Sequence, residues 1–187
     1  MPSTRGCSDL IFEQTPLVDA WVIDLDRMED DRGYFARVFD RKVFEGHGID
    51  SDFVQGNLSY NKKAGTLRGM HFQLPPAEET KLVQCVSGSL YDVIIDLRIE
   101  SPSYLHHFGV ELNEKNKRMI VVPKGFAHGF VTLEDDTEAR YLVSEFYTSE
   151  RESGVRHNDP AFGIEWPRAV AVISDKDANW PLFRASG

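Results

Sequence analysis

The sequence predicts an all-β fold, a jelly-roll barrel (β-sandwich) with a few short peripheral helices, and three observations carry that expectation. Runs of aliphatic and aromatic residues recur along the chain, turn-forming clusters separate them at roughly 8 to 12 residues, and helical periodicity is scarce. The first run, Ala20-Trp21-Val22-Ile23-Asp24-Leu25, has the aromatic and β-branched content that suits a pleated surface. Arg41 to His47 is the best helical candidate, because Asp40 can cap its start and Gly48 can stop it. Leu82–Val86 and Leu90–Leu97 are the next strands, divided by the turn signal Ser87-Gly88-Ser89. Ser101-Pro102-Ser103 then breaks the chain before Phe108–Leu112, and the polar stretch Asn113–Lys117 separates that strand from Met119–Val122. Glu134-Asp135-Asp136 marks the last strong turn before Tyr141-Leu142-Val143. With no repeat, low-complexity tract or linker, residues 1–187 are expected to form a single domain with extensions at both ends.

Composition narrows the function classes. A hydrophobic fraction of 41% with 27% charged residues is ordinary for a globular domain with one core. The formal net charge is −9, and the 21 Lys and Arg residues are spread along the chain, so no basic face for nucleic acid is expected. A small anionic ligand would have to be held by local arginines. Nothing approaches an apolar membrane span, and Met1–Asp9 lacks the core of a signal peptide, which points to a cytoplasmic protein. The two cysteines, Cys7 and Cys85, lack metal-site spacing and are expected to be free thiols in a reducing compartment.

Two segments carry the chemistry: Gly65-Thr66-Leu67-Arg68-Gly69-Met70-His71-Phe72-Gln73 and Pro123-Lys124-Gly125-Phe126-Ala127-His128-Gly129-Phe130. Each sets a histidine beside glycine turns and an aromatic, and in a β-rich fold both can converge on one barrel mouth. Their spacing resembles the two motifs of the cupin jelly rolls, with Gly65 five residues plus one before His71 and a Pro-x-Gly-x-x-His at 123–128. Gln73, however, stands where the second metal-binding histidine of a cupin would be. A neutral amide is a poor ligand for a divalent transition metal, and His71 with His128 falls short of three protein ligands. Glu78 or Glu79 could complete a metal set, but the reading preferred is no metal and no cofactor, with the histidines as acid–base groups.

Further motifs extend the resemblance over nearly the whole chain. Arg32-Gly33-Tyr34-Phe35, Gln55-Gly56-Asn57-Leu58-Ser59, Leu67–Gln73, Lys81-Leu82-Val83, Asp92-Val93 through Arg98, Pro123–Phe130, Asn158-Asp159-Pro160, Ile164–Pro167 and Ser174-Asp175-Lys176-Asp177 resemble, in order, the dTDP-4-dehydrorhamnose 3,5-epimerase family. That resemblance implies a metal-free jelly-roll homodimer that inverts carbons flanking the ketone of a nucleotide-diphosphate sugar. The reaction needs a base on one face of the sugar, stabilisation of the enolate oxygen, and an acid on the other face. By resemblance, His71 is the base, paired with Asp177, which would fix its tautomer and raise its basicity. Tyr141 matches the family acid, with Tyr147 six residues on as the alternative if strand alternation turns it to the same cavity. Lys81 matches the lysine beside the keto oxygen, and His128 either assists it or contacts the sugar.

The same resemblance assigns the binding residues. Arg32 and Arg68 would clamp the two phosphates as planar guanidinium groups. Gln55 and Asn57 fall near the nucleoside, while Phe35 and Tyr147 would sandwich the flat base. Family members exchange amino-terminal strands, so Arg32 and Phe35 are expected to serve the partner's site. Three positions depart from the pattern: Arg37 stands where a glutamate usually meets the nucleobase, His157 replaces a tryptophan, and Gly56 replaces an aspartate. An arginine presents donors where glutamate presents acceptors, which favours bases such as guanine or cytosine. The open alternatives are therefore a GDP- or CDP-linked 4-keto sugar, heptoses included, inverted at one centre only; outside them stand a metal-dependent cupin dioxygenase or isomerase and a non-catalytic sugar-binding jelly roll.

Overall fold

A computed structural model describes residues 10–184, and among them β-structure dominates as the sequence predicts. One sheet runs in the order β1 (Leu10–Gln14), β2 (Trp21–Leu25), β10 (Met119–Val122), β7 (Lys81–Ser87), β12 (Thr137–Val143) and β5 (Gln55–Asn61). The facing sheet runs β13 (Glu152–Gly154), β6 (Leu67–Gln73), β11 (Phe126–Thr132), β8 (Ser89–Asp96) and β9 (His107–Asn113). All pairings between these strands are antiparallel. The crossovers between the sheets make a jelly-roll sandwich. A separate hairpin, β3 (Met28–Asp30) with β4 (Gly33–Phe35), stands off both sheets.

The central strands of both sheets are covered on both faces, which explains why they read as continuous apolar runs rather than clean alternations. In β10, Ile120 and Val122 point between the sheets while Met119 and Val121 point outward, yet all four are buried. Between the sheets, Val83, Ile120 and Ala139 meet Leu90, Ile94 and Phe130. Outside the six-stranded sheet, Met119, Val121 and Leu82 pack under Phe44 of the short helix α1 (Arg41–Gly46). Asp40 caps that helix as expected, accepting from the Lys42 and Val43 N–H groups, and the helix ends one residue before the predicted His47. Outside the five-stranded sheet, Met70, Val93 and Ile95 are covered by Val155, Phe162 and Phe183 of the C-terminal segment. Truncating a fully buried residue such as Ile94 to Ala would remove about 2–5 kcal/mol.

Cys85 is a buried free thiol pushed up to about 12 by burial, so it is chemically quiet; Cys7 lies outside the described residues. Among the described residues no helix is long and apolar enough to cross a membrane.

Candidate active site

The strands deliver their inward side chains to one mouth of the sandwich. On β7, Lys81 shares a face with the core residues Val83 and Cys85; on β12, Tyr141 shares a face with Ala139. On β11, His128 lies two residues from Phe130, and His71 on β6 is its direct partner in the ladder. These residues line a cavity of about 350 Å³ together with Arg68 and Asp177. A second cavity, about 210 Å³, shares His71, Lys81 and Tyr141 and adds Gln55, Asn57 and Tyr147. The two adjoin along those common side chains.

Arg68 and His71 have opposite parity along β6, yet both face the cavity. The ladder between β6 and β11 slips there, with His128 opposite His71 but Phe130 opposite Arg68, so β6 carries one extra residue, a bulge that re-aims the side chain. Gly69 sits in the bulge at φ 139°, where a Cβ would lie 2.5 Å from the Gly129 Cα. Only glycine fits that crossing. Its N–H is thereby free to donate to Asp177 Oδ2 at 3.3 Å.

Asp177 itself lies in α2 (Asp175–Ala178), a single turn capped by the Ser174 side chain, which accepts from the Asp177 N–H. Its Oδ1 meets His71 Nε2 at 2.7 Å, across 106 residues of sequence. Burial pushes the Asp177 carboxyl up, but the bond to His71, the nearby charge and the Gly69 N–H outweigh it, leaving the group below the usual carboxylate value. The carboxylate therefore stays charged and orients the imidazole through Nε2, and no described residue bonds the His71 Nδ1. Trp180, packed on Gly154, meets the His71 ring edge-on with centroids 6.2 Å apart. On the neighbouring strand β11, His128 Nε2 lies 2.9 Å from Asp92 Oδ2.

The two candidate tyrosines are now distinguishable. Tyr141 faces the cavity from β12, and no described residue hydrogen-bonds its hydroxyl. Burial, and then the Glu79 charge, push its phenol above the ordinary value despite Arg68 nearby. Tyr147 also reaches a cavity, but not by strand alternation: β12 ends at Val143, and Tyr147 sits in the following loop with its N–H on Gln55 Oε1 (2.9 Å). Its hydroxyl donates to Glu152 Oε2 at 2.7 Å. Glu152 also pairs with Lys176, next to the Asp177 turn.

The Gln73 amide is engaged at both ends. Nε2 donates toward Ala77 O (2.9 Å), Glu79 Oε2 (3.2 Å) and Phe146 O (3.3 Å), and Oε1 accepts from the Thr148 N–H at 2.7 Å. Glu79, one of the two carboxylates that could have completed a metal set, instead holds Lys81 Nζ at 3.1 Å. Among the described residues no three His, Cys, Asp or Glu side chains gather as a metal site.

Arg68 donates to Asn61 Oδ1 at 2.7 Å and to Tyr60 O at 3.3 Å, which fixes its stem along the cavity wall. Arg32, Phe35 and Arg37 line neither cavity of this chain. Arg32 pairs with Asp30 (2.5 Å) and Phe35 is 58% exposed, both on the β3–β4 hairpin; Arg37 follows it and lies 3.6 Å from Asp40. Phe35 and Tyr147 are consequently not brought together within one chain. Asp92, Glu152 and Trp180 are the neighbours that sequence reasoning gave no role, and Glu79 was weighed only as a ligand. Asp92 opens the Asp92–Arg98 motif and Glu79 lies two residues before Lys81; nothing in the sequence marks Trp180.

A family model described as dTDP-4-dehydrorhamnose 3,5-epimerase matches residues 14–185. The dTDP-4-dehydrorhamnose 3,5-epimerase of Sinorhizobium fredii is 40% identical over 174 residues, covering 92% of this chain and 89% of that protein. Among solved structures, the Bacillus anthracis dTDP-4-dehydrorhamnose 3,5-epimerase with TDP and PPi bound superimposes with a TM-score of 0.90 at 43% identity, covering 94% of this chain and 100% of that one. The Legionella pneumophila dTDP-6-deoxy-D-glucose-3,5-epimerase, in complex with dTDP-4-keto-L-rhamnose, gives a TM-score of 0.85 at 35% identity over 91% of this chain and 90% of that one.

Proposed function

The chain belongs to the dTDP-4-dehydrorhamnose 3,5-epimerase family, and on that premise we propose that it inverts C3 and C5 of a dTDP-linked 4-keto-6-deoxy sugar through enolate intermediates. It is an isomerase whose chemistry needs only proton transfers. The observation that carries the reading is the convergence of the His71–Asp177 pair, Tyr141 and Lys81 on one cavity. His71, held through Nε2 by Asp177, takes the hydrogen from the carbon beside the ketone on Nδ1, and the electron pair moves into the carbonyl. A positioned base of this kind contributes about 10²–10⁴-fold. Lys81 meets the charge that develops on the keto oxygen, with His128 on the facing sheet. Tyr141, its phenol still protonated and its hydroxyl unshared, returns a proton to the opposite face of the carbon.

Binding follows the same division. Arg68 takes the diphosphate from this chain, Gln55, Asn57 and Tyr147 take the nucleoside, and Arg32, Phe35 and Arg37 reach the site of a partner chain. The exposed β3–β4 hairpin supports that exchange, and with it a homodimer. The subunit in this reading is one domain spanning residues 1–187, working in the cytoplasm. Arg37 favours one second reading, the same chemistry on a GDP- or CDP-linked sugar, since its guanidinium offers donors to the base.

Incubation in deuterated water with dTDP-, GDP- and CDP-linked 4-keto sugars tests all of this. Deuterium at C3 and C5 of the dTDP-linked sugar is expected; exchange confined to another nucleotide would establish the second reading. No carbon-bound exchange with any of them would overturn the proposal in favour of a binding protein.

A further inference from the structure

We propose that Glu79 is a positioning residue of this site: Gln73 aims its carboxylate, which anchors the Lys81 ammonium at the place of the keto oxygen and sets a fixed negative charge beside the Tyr141 phenol. The inference rests on the epimerase reading for what Lys81 and Tyr141 do, but its geometry is independent of it. One carboxylate oxygen of Glu79 lies 3.1 Å from Lys81 Nζ and the other accepts from Gln73 Nε2 at 3.2 Å. Both side chains of the ion pair are only 11% exposed. A lysine that buried requires a counter-charge, and its flexible stem requires an anchor if the cation is to be ready before the enolate forms. The amide that occupies the position of a cupin metal ligand is thus the first link of a chain, Gln73 to Glu79 to Lys81, that ends in a positive charge at the reacting oxygen.

The same carboxylate acts on the acid. Tyr141 is faced by Arg68 and His71 from β6, Lys81 from β7, His128 from β11 and Asp177 from α2, with Glu79 and Glu152 on the adjoining wall. Besides burial, Glu79 is the group that holds the phenol up, and Arg68 opposes it. Burial first and the Glu79 charge second thus favour the protonated phenol, the form that can donate.

An ion pair that merely braces the loop between β6 and β7 is separable from this role with Glu79→Gln, which keeps the size and an acceptor for Lys81 but removes the charge. Ionisation of Tyr141 can be read without substrate, as the tyrosinate absorbance lost in Tyr141→Phe, each measured with and without Glu79→Gln. The titration is expected to move to lower pH in the Glu79→Gln protein. Its kcat for deuterium exchange is expected to fall about tenfold with KM nearly unchanged, and Glu79→Asp to recover part of the loss. An unmoved tyrosine titration, or a kcat equal to that of the parent, overturns the proposal. A parent protein that exchanges no deuterium would instead refute the epimerase reading, and the titration would still decide whether Glu79 governs Tyr141.

Discussion

His71 and His128 stand opposite each other in the β6–β11 ladder, each with a carboxylate on Nε2, and the two pairs are built differently. The His71 side chain is 31% exposed and its partner comes from a capped helical turn at the far end of the chain, with both carboxylate oxygens engaged. The His128 side chain is 9% exposed, and its partner Asp92 lies wholly inside the sandwich on the neighbouring strand, with Oδ1 unpartnered among the described residues. Orientation is common to both pairs; access is not. A proton-transfer group needs both, so the pair on the rim suits the reaction and the interior pair suits a polar wall that holds β8 to β11.

The contrast is sharpest at the imidazoles themselves. His71→Ala is expected to lower deuterium exchange about 10⁴-fold while nucleotide affinity stays close to that of the parent, as single-turnover exchange and calorimetry would report. Near-parental exchange would transfer the base role to His128 and break the comparison. Asp177→Asn should cost about 10²-fold, because the amide no longer stabilises the imidazolium and can hold the wrong tautomer. Its melting temperature should fall by less than that of Asp92→Asn. Asp92→Asn should do the opposite, slowing exchange by less than about tenfold while lowering stability by about 2 kcal/mol, roughly 4 to 8 °C in Tm. Equal rate effects of the two amide substitutions would erase the distinction between the two pairs.

Acidification offers the smallest effect. The Asp177 carboxyl lies below its unfolded value, so the stability it contributes is complete above the unfolded pKa, near 3.8, and is lost as pH falls through the lower folded value. Asp177→Asn should remove that portion of the acid sensitivity, visible in denaturant midpoints measured on either side of about pH 4.

Much of this was legible in the residues, but unevenly. The strands read most easily were those that build the core, Leu82–Val86, Leu90–Leu97 and Met119–Val122, because burial on both faces selects aliphatic runs. Three of the strands that line the site, β5, β6 and β11, are interrupted by Gly56, Gly69, Gly129 and polar side chains, and their β-pattern is correspondingly faint. Their functional residues were found through motif resemblance instead. His71 and Asp177 could be paired that way although the contact spans 106 residues. The roles of Gln73 and Glu79 could not, since an amide donor aimed at a carboxylate has no spacing rule; it depends on how the loop after β6 folds back. Arg32, Phe35 and Arg37 were named from sequence, and this chain alone leaves them away from its own cavities.

The segment that seals the outer face of the five-stranded sheet with Val155, Phe162 and Phe183 also carries Asp177. A polypeptide lacking the residues from 174 onward would lose the Phe183 share of that cover and leave His71 without its orienting carboxylate. Orientation of the base and part of the sheet's outer cover thus depend on the same short stretch, and a protease that clips it would forfeit both together.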